Sequence, residues 1–412
     1  MGIAGSRVGI VGGSIAGCAA AIALRRAGCA VAVYERTRGE LKDRGAGIAI
    51  PVALRDQLVR AGYLDPGYPT CPSVARLWLL RDGDDPLGRL LWRQPSPAAF
   101  NNWGVLWRSV RARLPDAAYH EGAAVTAIAT DQDGATVQLQ DGSRARVDLL
   151  VGADGYRSGV RGLLHPHSRP AYAGYTLWRG SFDERLVTDR RPLVPLEGGW
   201  TTVVFVGGHG IFYLIPGFDN RADPGHRRVN WAIYCAAPPG VSFAEPGSLP
   251  PGSVDARLLP SLDALLDAHF PPAWAALVRA TPPEALLIQP IYDQTIPTYV
   301  GARLLLIGDA STLTRPHTGS GATKALQDAI ALEQACRAHA TWDAALAAYD
   351  AARCQAGNDV VELGRRIGRD QVLQTPDWAT MTPERFDAFT RATLAGRALY
   401  LYGNTLPADA RG

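Results

Sequence analysis

Hydrophobic and polar positions fall into two regimes along the chain. From Arg7 to Gly12 (RVGIVG) a short apolar run ends at glycine, which predicts a buried strand. Ser14 to Ala27 is rich in Ala, Leu and Ile and stops at Gly28, which predicts a helix. Ala30 to Glu35 (AVAVYE) predicts a second strand, completing a β-α-β unit within roughly 30 residues. Between Ala123 and Asp148 two alternating strands meet at Asp133-Gly134, and a further turn falls at Asp141-Gly142. Leu149 to Gly155 (LLVGADG) is again a buried-strand pattern.

The second regime, Ala171 to Tyr299, is rich in Trp, Tyr, Phe and Pro. Alternation at Thr201–Val206, Gly210–Ile215 and Arg228–Tyr234 predicts a mostly antiparallel sheet carrying a substrate pocket, with a Pro/Gly/Ser-rich loop from Ala236 to Pro251. The buried-strand pattern returns at Arg303–Asp309 (RLLLIGD), a helical pattern covers Gly321–Ala340, and the remainder from Trp342 reads as helical. The expected fold class is α/β: a discontinuous Rossmann-like domain (1–70, 101–170 and 300–340) with an inserted sheet domain (71–100 and 171–299) and a helical C-terminus (341–412).

With 412 residues and 44.0 kDa the chain has room for two or three cores. A net charge of only +3 gives no reason to expect nucleic acid or a membrane surface as partner. Six scattered cysteines without a CxxC pair, and histidines without ligand spacing, predict neither a disulfide framework nor a metal site. No apolar run approaches the ~18 residues of a spanning helix, so a reduced, cytoplasmic setting is expected. A homodimer is left open.

Three motifs carry chemistry. The first is Gly12-Gly13-Ser14-Ile15-Ala16-Gly17 with Glu35 and Arg36 at the end of the second strand. Gly12 permits the strand-to-helix turn, Gly17 permits close packing, a pyrophosphate would rest on the helix N-terminus, and Glu35 would take ribose hydroxyls. Ser14 stands where the usual pattern has its middle glycine. The second motif runs Gly152-Ala153-Asp154-Gly155-Tyr156-Arg157-Ser158-Gly159-Val160-Arg161. The third is Gly308-Asp309-Ala310, continuing through Pro316, Gly319, Gly321, Ala322 and Asp328.

Together, over Arg7 to about Arg353, these motifs resemble the single-component flavoprotein hydroxylases, the p-hydroxybenzoate hydroxylase-like family. Ala173-Gly174-Tyr175, Trp178-Arg179-Gly180 and Arg315-Pro316-His317 with Lys324 resemble its dihydroxypyridine-hydroxylase branch. The resemblance implies FAD as cofactor, NAD(P)H as transient co-substrate, and oxygen insertion into a small aromatic or heteroaromatic ring through a flavin C4a-hydroperoxide. A Baeyer–Villiger or epoxidising outcome and a non-catalytic escort role remain alternatives. It implies Asp309 at the ribityl chain, the Gly319–Ala322 backbone at the flavin ring, and Asp154 and Arg108 near the cofactor. Asp154 also reads as a helix cap. Thr312 and Thr323 depart from the family, which has histidine and asparagine there. His317 and Tyr213 are the catalytic candidates, His317 as a base titrating near neutrality. Trp178, Trp231 and His209 are expected to join them around the substrate, with Tyr213 facing it if Phe212 faces the core. Tyr292 suits the pocket rim, and Asp293 reads as a solvated loop residue.

Overall fold

The computed structural model describes residues 2–39, 41, 46–241 and 254–394. The Ala236–Pro251 loop lies mostly outside these residues, as does the expected helical end beyond Leu394.

Five strands form a wholly parallel sheet in the order Leu304–Leu306, Leu149–Gly152, Arg7–Val11, Ala30–Glu35, Tyr119–Glu121. Chain order reverses at Arg7–Val11, so a crevice opens at its carboxyl end. The helix Ile15–Arg26 covers the sheet with an almost wholly buried Ala/Ile/Leu surface. A three-stranded antiparallel sheet, Val125–Thr130, Ala135–Leu139 and Arg144–Val147, adds one strand to the two expected, because the Asp141-Gly142 turn is a second hairpin.

The eight-stranded sheet runs Leu286–Asp293, Ala171–Asp183, Arg228–Cys235, Gly208–Ile215, Gly199–Phe205, Cys71–Leu80, Arg89–Asn102, Gly47–Ile50. It is antiparallel except where Gly199–Phe205 pairs with Cys71–Leu80. Two helices that alternation did not reveal, Leu259–His269 and Pro272–Arg279, back this sheet, and Trp274 packs 4.8 Å from Phe212. The last expected strand is shorter than its apolar run: Leu304–Leu306 pairs, and Gly308–Ala310 turns into a 3-10 segment.

The helices Gly321–Ala338 and Trp342–Gly368 close the parallel sheet. Between them lies a fully buried ionic triad: Lys324 Nζ sits 3.0 Å from Asp328 Oδ2, and Arg353 Nε 2.7 Å from Asp328 Oδ1. Burial alone would raise the Asp328 carboxyl and depress the Lys324 ammonium, but each charge outweighs that on its partner, so both stay ionised. Breaking such a cluster costs far more than forming it stabilises. Asp328→Asn leaves two buried cations without a carboxylate and is expected to cost about 3–5 kcal/mol in urea unfolding. A loss below ~1 kcal/mol would show that the triad does not hold these helices.

Candidate active site

A cleft of about 590 Å³ follows the carboxyl ends of the parallel strands. Gly12, Ser14, Ile15 and Ala16 line it at the start of the first helix. That helix makes its first bond at Cys18 N–Ser14 O (2.9 Å), has no acidic residue in its first turn, and receives no cap from the Ser14 side chain. Its leading N–H groups are therefore left for an anion. Gly12 has φ +99°, and a Cβ there would meet Ala153 O at 2.4 Å; a Cβ on Gly17 would strike Gly12 O. Gly13 and Gly17 lie behind the lining. The Gly13 N–H donates to Glu35 Oε2 (2.7 Å) and the Thr37 N–H to Oε1 (2.8 Å), which fixes the Glu35 carboxylate at the cleft. Exposed Arg36 borders the same end.

At the other end Asp154 and Asp309 line the cleft. Asp154 accepts from the Ser158 hydroxyl and from the Gly159 N–H (2.8 Å), so it caps the short helix Gly159–Leu164 while bordering the cleft. The Gly308–Ser311 turn is held by two cations. Lys324 Nζ donates to Gly308 O and Ser311 Oγ, both at 2.8 Å; Arg161 donates to Asp309 O (3.0 Å) and Ala310 O (3.2 Å). The Asp309 carboxylate itself accepts no hydrogen bond among the described residues. Burial raises its pKa, opposed by Lys324 and Arg161. Beside it the helix Gly321–Ala338 begins without a side-chain cap, and a Cβ on Gly321 would approach nothing nearer than Asp309 Oδ1 at 4.0 Å. Gly319 has φ +65°, the left-handed geometry glycine favours.

A second cavity, about 520 Å³, shares Ser14, Trp103, Tyr156, Asp309, Gly321 and Ala322 with the cleft. The two spaces are thus continuous. The large sheet makes its floor, and register decides which side chains reach it. Ile211, Ala232 and Arg179 sit side by side on neighbouring strands, as do His209, Tyr234 and Leu177, and all six line the cavity. Tyr213 lines it too, stacked on Phe100 at 4.3 Å, while Phe212 faces the core. The same alternation removes Trp178 and Trp231 from the expected pocket wall. Both are fully buried on the opposite face, and Trp231 Nε1 donates to Thr281 Oγ1 (2.8 Å). Arg108 also lines neither space: it donates to Phe218 O and Asn220 Oδ1, both at 3.1 Å. Thr312 and Thr323 are likewise buried outside both linings, bonded to Tyr299 and to Ser320 O.

Pro316 and Gly319, expected beside a cofactor, line the second cavity together with His317, and His317 does not titrate near neutrality as it was expected to. Burial, His209 and Arg315 hold its pKa well below the ordinary value. Its Nε2 lies 3.1 Å from Gly364 O and 3.2 Å from the Tyr175 hydroxyl. Asp293 is no solvated loop residue. It is 2% exposed and paired with Arg315 and Arg365 at 2.7 and 2.6 Å, while Tyr292 lines the cavity. Sequence reasoning missed Arg76, 1% exposed, which lines the cavity with its guanidinium over the Trp78 and Trp200 rings at 3.8 and 4.3 Å. The signal was present: one arginine inside the apolar run Val74–Leu80 of a strand.

Known proteins match this architecture. A family model described as FAD binding domain-like matches residues 172–293. The aurachin C monooxygenase/isomerase of Stigmatella aurantiaca is 31% identical over 95% of this chain and 98% of its own length. An FAD-dependent urate hydroxylase of Klebsiella pneumoniae is 30% identical over 87% and 88%. The chain belongs to the FAD-dependent hydroxylase family. It is thus an FAD-dependent monooxygenase. The structure of 2,6-dihydroxypyridine-3-hydroxylase from Arthrobacter nicotinovorans superposes with a TM-score of 0.79, covering 92% of this chain and 96% of that one at 26% identity. Among the described residues of this hydroxylase, no helix is long and apolar enough to cross a membrane.

The buried histidines make the monooxygenase acid-sensitive. Burial and Arg76 push His209 down to about 3, against 6.5 for an ordinary histidine. On acidification the unfolded chain takes up this proton first. The stability that neutral His209 contributes is complete above about 6.5 and is lost as pH falls toward about 3. The urea midpoint should therefore fall between about pH 7 and about pH 5, and fall less in His209→Gln. Equal slopes in the two proteins would remove His209 as a source of the effect.

Proposed function

We propose that the protein inserts one oxygen atom from O2 into a small aromatic or heteroaromatic ring, with NAD(P)H as reductant. The observation that carries this reading is the shared six-residue wall. A cleft suited to a dinucleotide opens, beside a bare helix N-terminus and an open carboxylate, into a second cavity floored by Tyr213, Tyr234, Ile211 and Leu177. The relatives named for urate and for 2,6-dihydroxypyridine favour a ring of that size.

The residues fit FAD. Glu35 would take the adenosine ribose, and the N–H groups leading Ile15–Arg26 the pyrophosphate. Asp154 stands alongside. Asp309 would take a ribityl hydroxyl, its carboxylate open and its turn fixed by Lys324 and Arg161. The bare start of the Gly321–Ala338 helix would direct N–H groups and the positive end of its dipole at the ring system. When bound, FAD supplies the reduction and oxygen activation. The chain excludes water: Trp103 and Tyr156 wall the junction, and the Phe100–Tyr213 stack closes one side of the ring cavity. Tyr213 stays protonated, its pKa raised by burial despite Arg179. In this reading the parallel sheet with its covering helices is the FAD domain, and the eight-stranded sheet the substrate domain.

Asp309→Ala should weaken FAD affinity of apoprotein roughly 10- to 100-fold, the effect of one charged hydrogen bond, with unchanged thermal unfolding of the apoprotein. A screen of small rings for stimulated NAD(P)H oxidation should yield a product one oxygen atom heavier. Full FAD affinity in the variant would displace Asp309 from the cofactor; no ring-dependent product from any aromatic would sink the assigned reaction.

A further inference from the structure

The strand Gly47–Ile50 ends the eight-stranded sheet and pairs on one side only, with Arg89–Asn102. Such an edge leaves outward N–H and C=O groups that need other partners wherever they are buried. At Gly47 both groups are met by side chains from further along the same sheet. The Gly47 N–H donates to Asn230 Oδ1 at 2.8 Å, and Arg179 donates to the Gly47 carbonyl. Asn230 belongs to Arg228–Cys235 and Arg179 to Ala171–Asp183, neither of which pairs with Gly47–Ile50. Only glycine admits this approach: a Cβ at residue 47 would meet Asn230 Cγ and Tyr213 Cε2, both at 2.6 Å. The sheet floor thus holds its own edge strand at a single residue.

That strand is a wall of the junction. Ala46 to Ala49 line the second cavity together with Asp309, Gly321 and Ala322, so the strand shares a lining with the bare start of the Gly321–Ala338 helix. Arg179 lines this cavity but not the dinucleotide cleft, and Asn230 lines neither. The Arg179 guanidinium also donates to the Tyr213 hydroxyl, which joins the strand wall to the cavity floor.

We propose that Arg179 and Asn230 are positioning residues for the flavin end of the cofactor: by fixing Gly47 they set the strand wall against which that end would seat. This rests on the reading that FAD occupies the cleft with its ring system at the junction. Loss of either side chain strands a buried backbone group of Gly47, and the edge strand must shift to find another partner. The wall moves with it. Glu35 and the start of the first helix, which would take the adenosine and pyrophosphate, lie outside the clamp and stay in place. A planar, always charged guanidinium suits the task, because it holds two acceptors at once in a fixed geometry.

Two ligands separate the ends of the cleft. FAD engages both, whereas ADP carries only the adenosine and the phosphates. Their dissociation constants are measured on full-length apoprotein, by flavin fluorescence for FAD and by calorimetry for ADP. Arg179→Met and Asn230→Leu should each weaken FAD roughly 10-fold, the effect of one lost buried hydrogen bond, and leave ADP within about twofold. Arg179→Lys, which still offers a donor to the Gly47 carbonyl, should recover most of the FAD affinity. A merely structural role would weaken both ligands together. Unchanged FAD affinity in both variants, or equal weakening of FAD and ADP, therefore overturns the proposal. If Arg179→Met fails to fold, as read by lost ADP binding, Asn230→Leu and Arg179→Lys decide. An unaltered protein that binds ADP but not FAD, or neither, sinks the underlying reading instead.

Discussion

Lys324 is an ammonium with no access to water, and the way the chain satisfies it organises the cleft beside the parallel sheet. Its three bonds reach Gly308 O, Ser311 Oγ and Asp328 Oδ2. Asp328 in turn holds the Gly308 N–H and Arg353. One cluster thereby ties the start of one helix, the middle of a second and the turn after the last parallel strand. Ion clusters of this kind add little net stability, because desolvation offsets attraction, but removing one partner strands the other charge in the interior. The Asp309 carboxylate is presented to the cleft because its neighbours in the turn have no other place to go. Arg161, from the second motif, completes the hold from the opposite side.

The cavity on the eight-stranded sheet depends on a different constraint, the two-residue period of strands. Leu177 and Arg179 line the cavity, so Trp178 cannot; Ala232 and Tyr234 line it, so Trp231 cannot. The tryptophans that looked like pocket walls are on the back of the sheet, in the same core cluster as the buried residues of the two helices that composition concealed. A one-residue slip in any of these strands would put indoles into the cavity and bury the guanidinium of Arg179 in the core.

The parallel sheet and its glycine turns were legible because each rests on contiguous residues: Gly12 to Gly17, Glu35, and the apolar runs before them. Asp309 was legible for the same reason. Arg76 was not, since its importance comes from Trp200 and Thr202, more than a hundred residues away. Asp293 was misread for a related reason. Its partners Arg315 and Arg365 arrive from a turn and a helix that no local pattern connects to it. The helices Leu259–His269 and Pro272–Arg279 were hidden by aromatic and proline content typical of the surrounding strands. His317 lines the second cavity, but a histidine's protonation depends on what surrounds it, and here that is burial plus His209, Arg315 and Arg76.

These elements divide charge across a short distance. The cleft side of the junction offers Asp309, whose carboxyl burial pushes up while Lys324 and Arg161 pull it down. The ring side offers Arg76 and Arg179, with both histidines held neutral by burial and nearby arginines. Between them the positive end of the Gly321–Ala338 helix faces the shared wall. A protonated histidine would add a further positive charge beside guanidiniums already buried there, and the depressed pKa values express that penalty. Positive potential on the ring side is therefore fixed rather than switchable across neutral pH. Arginines do not deprotonate, the histidines do not protonate, and the field meeting a ligand at the junction is the same wherever the fold survives.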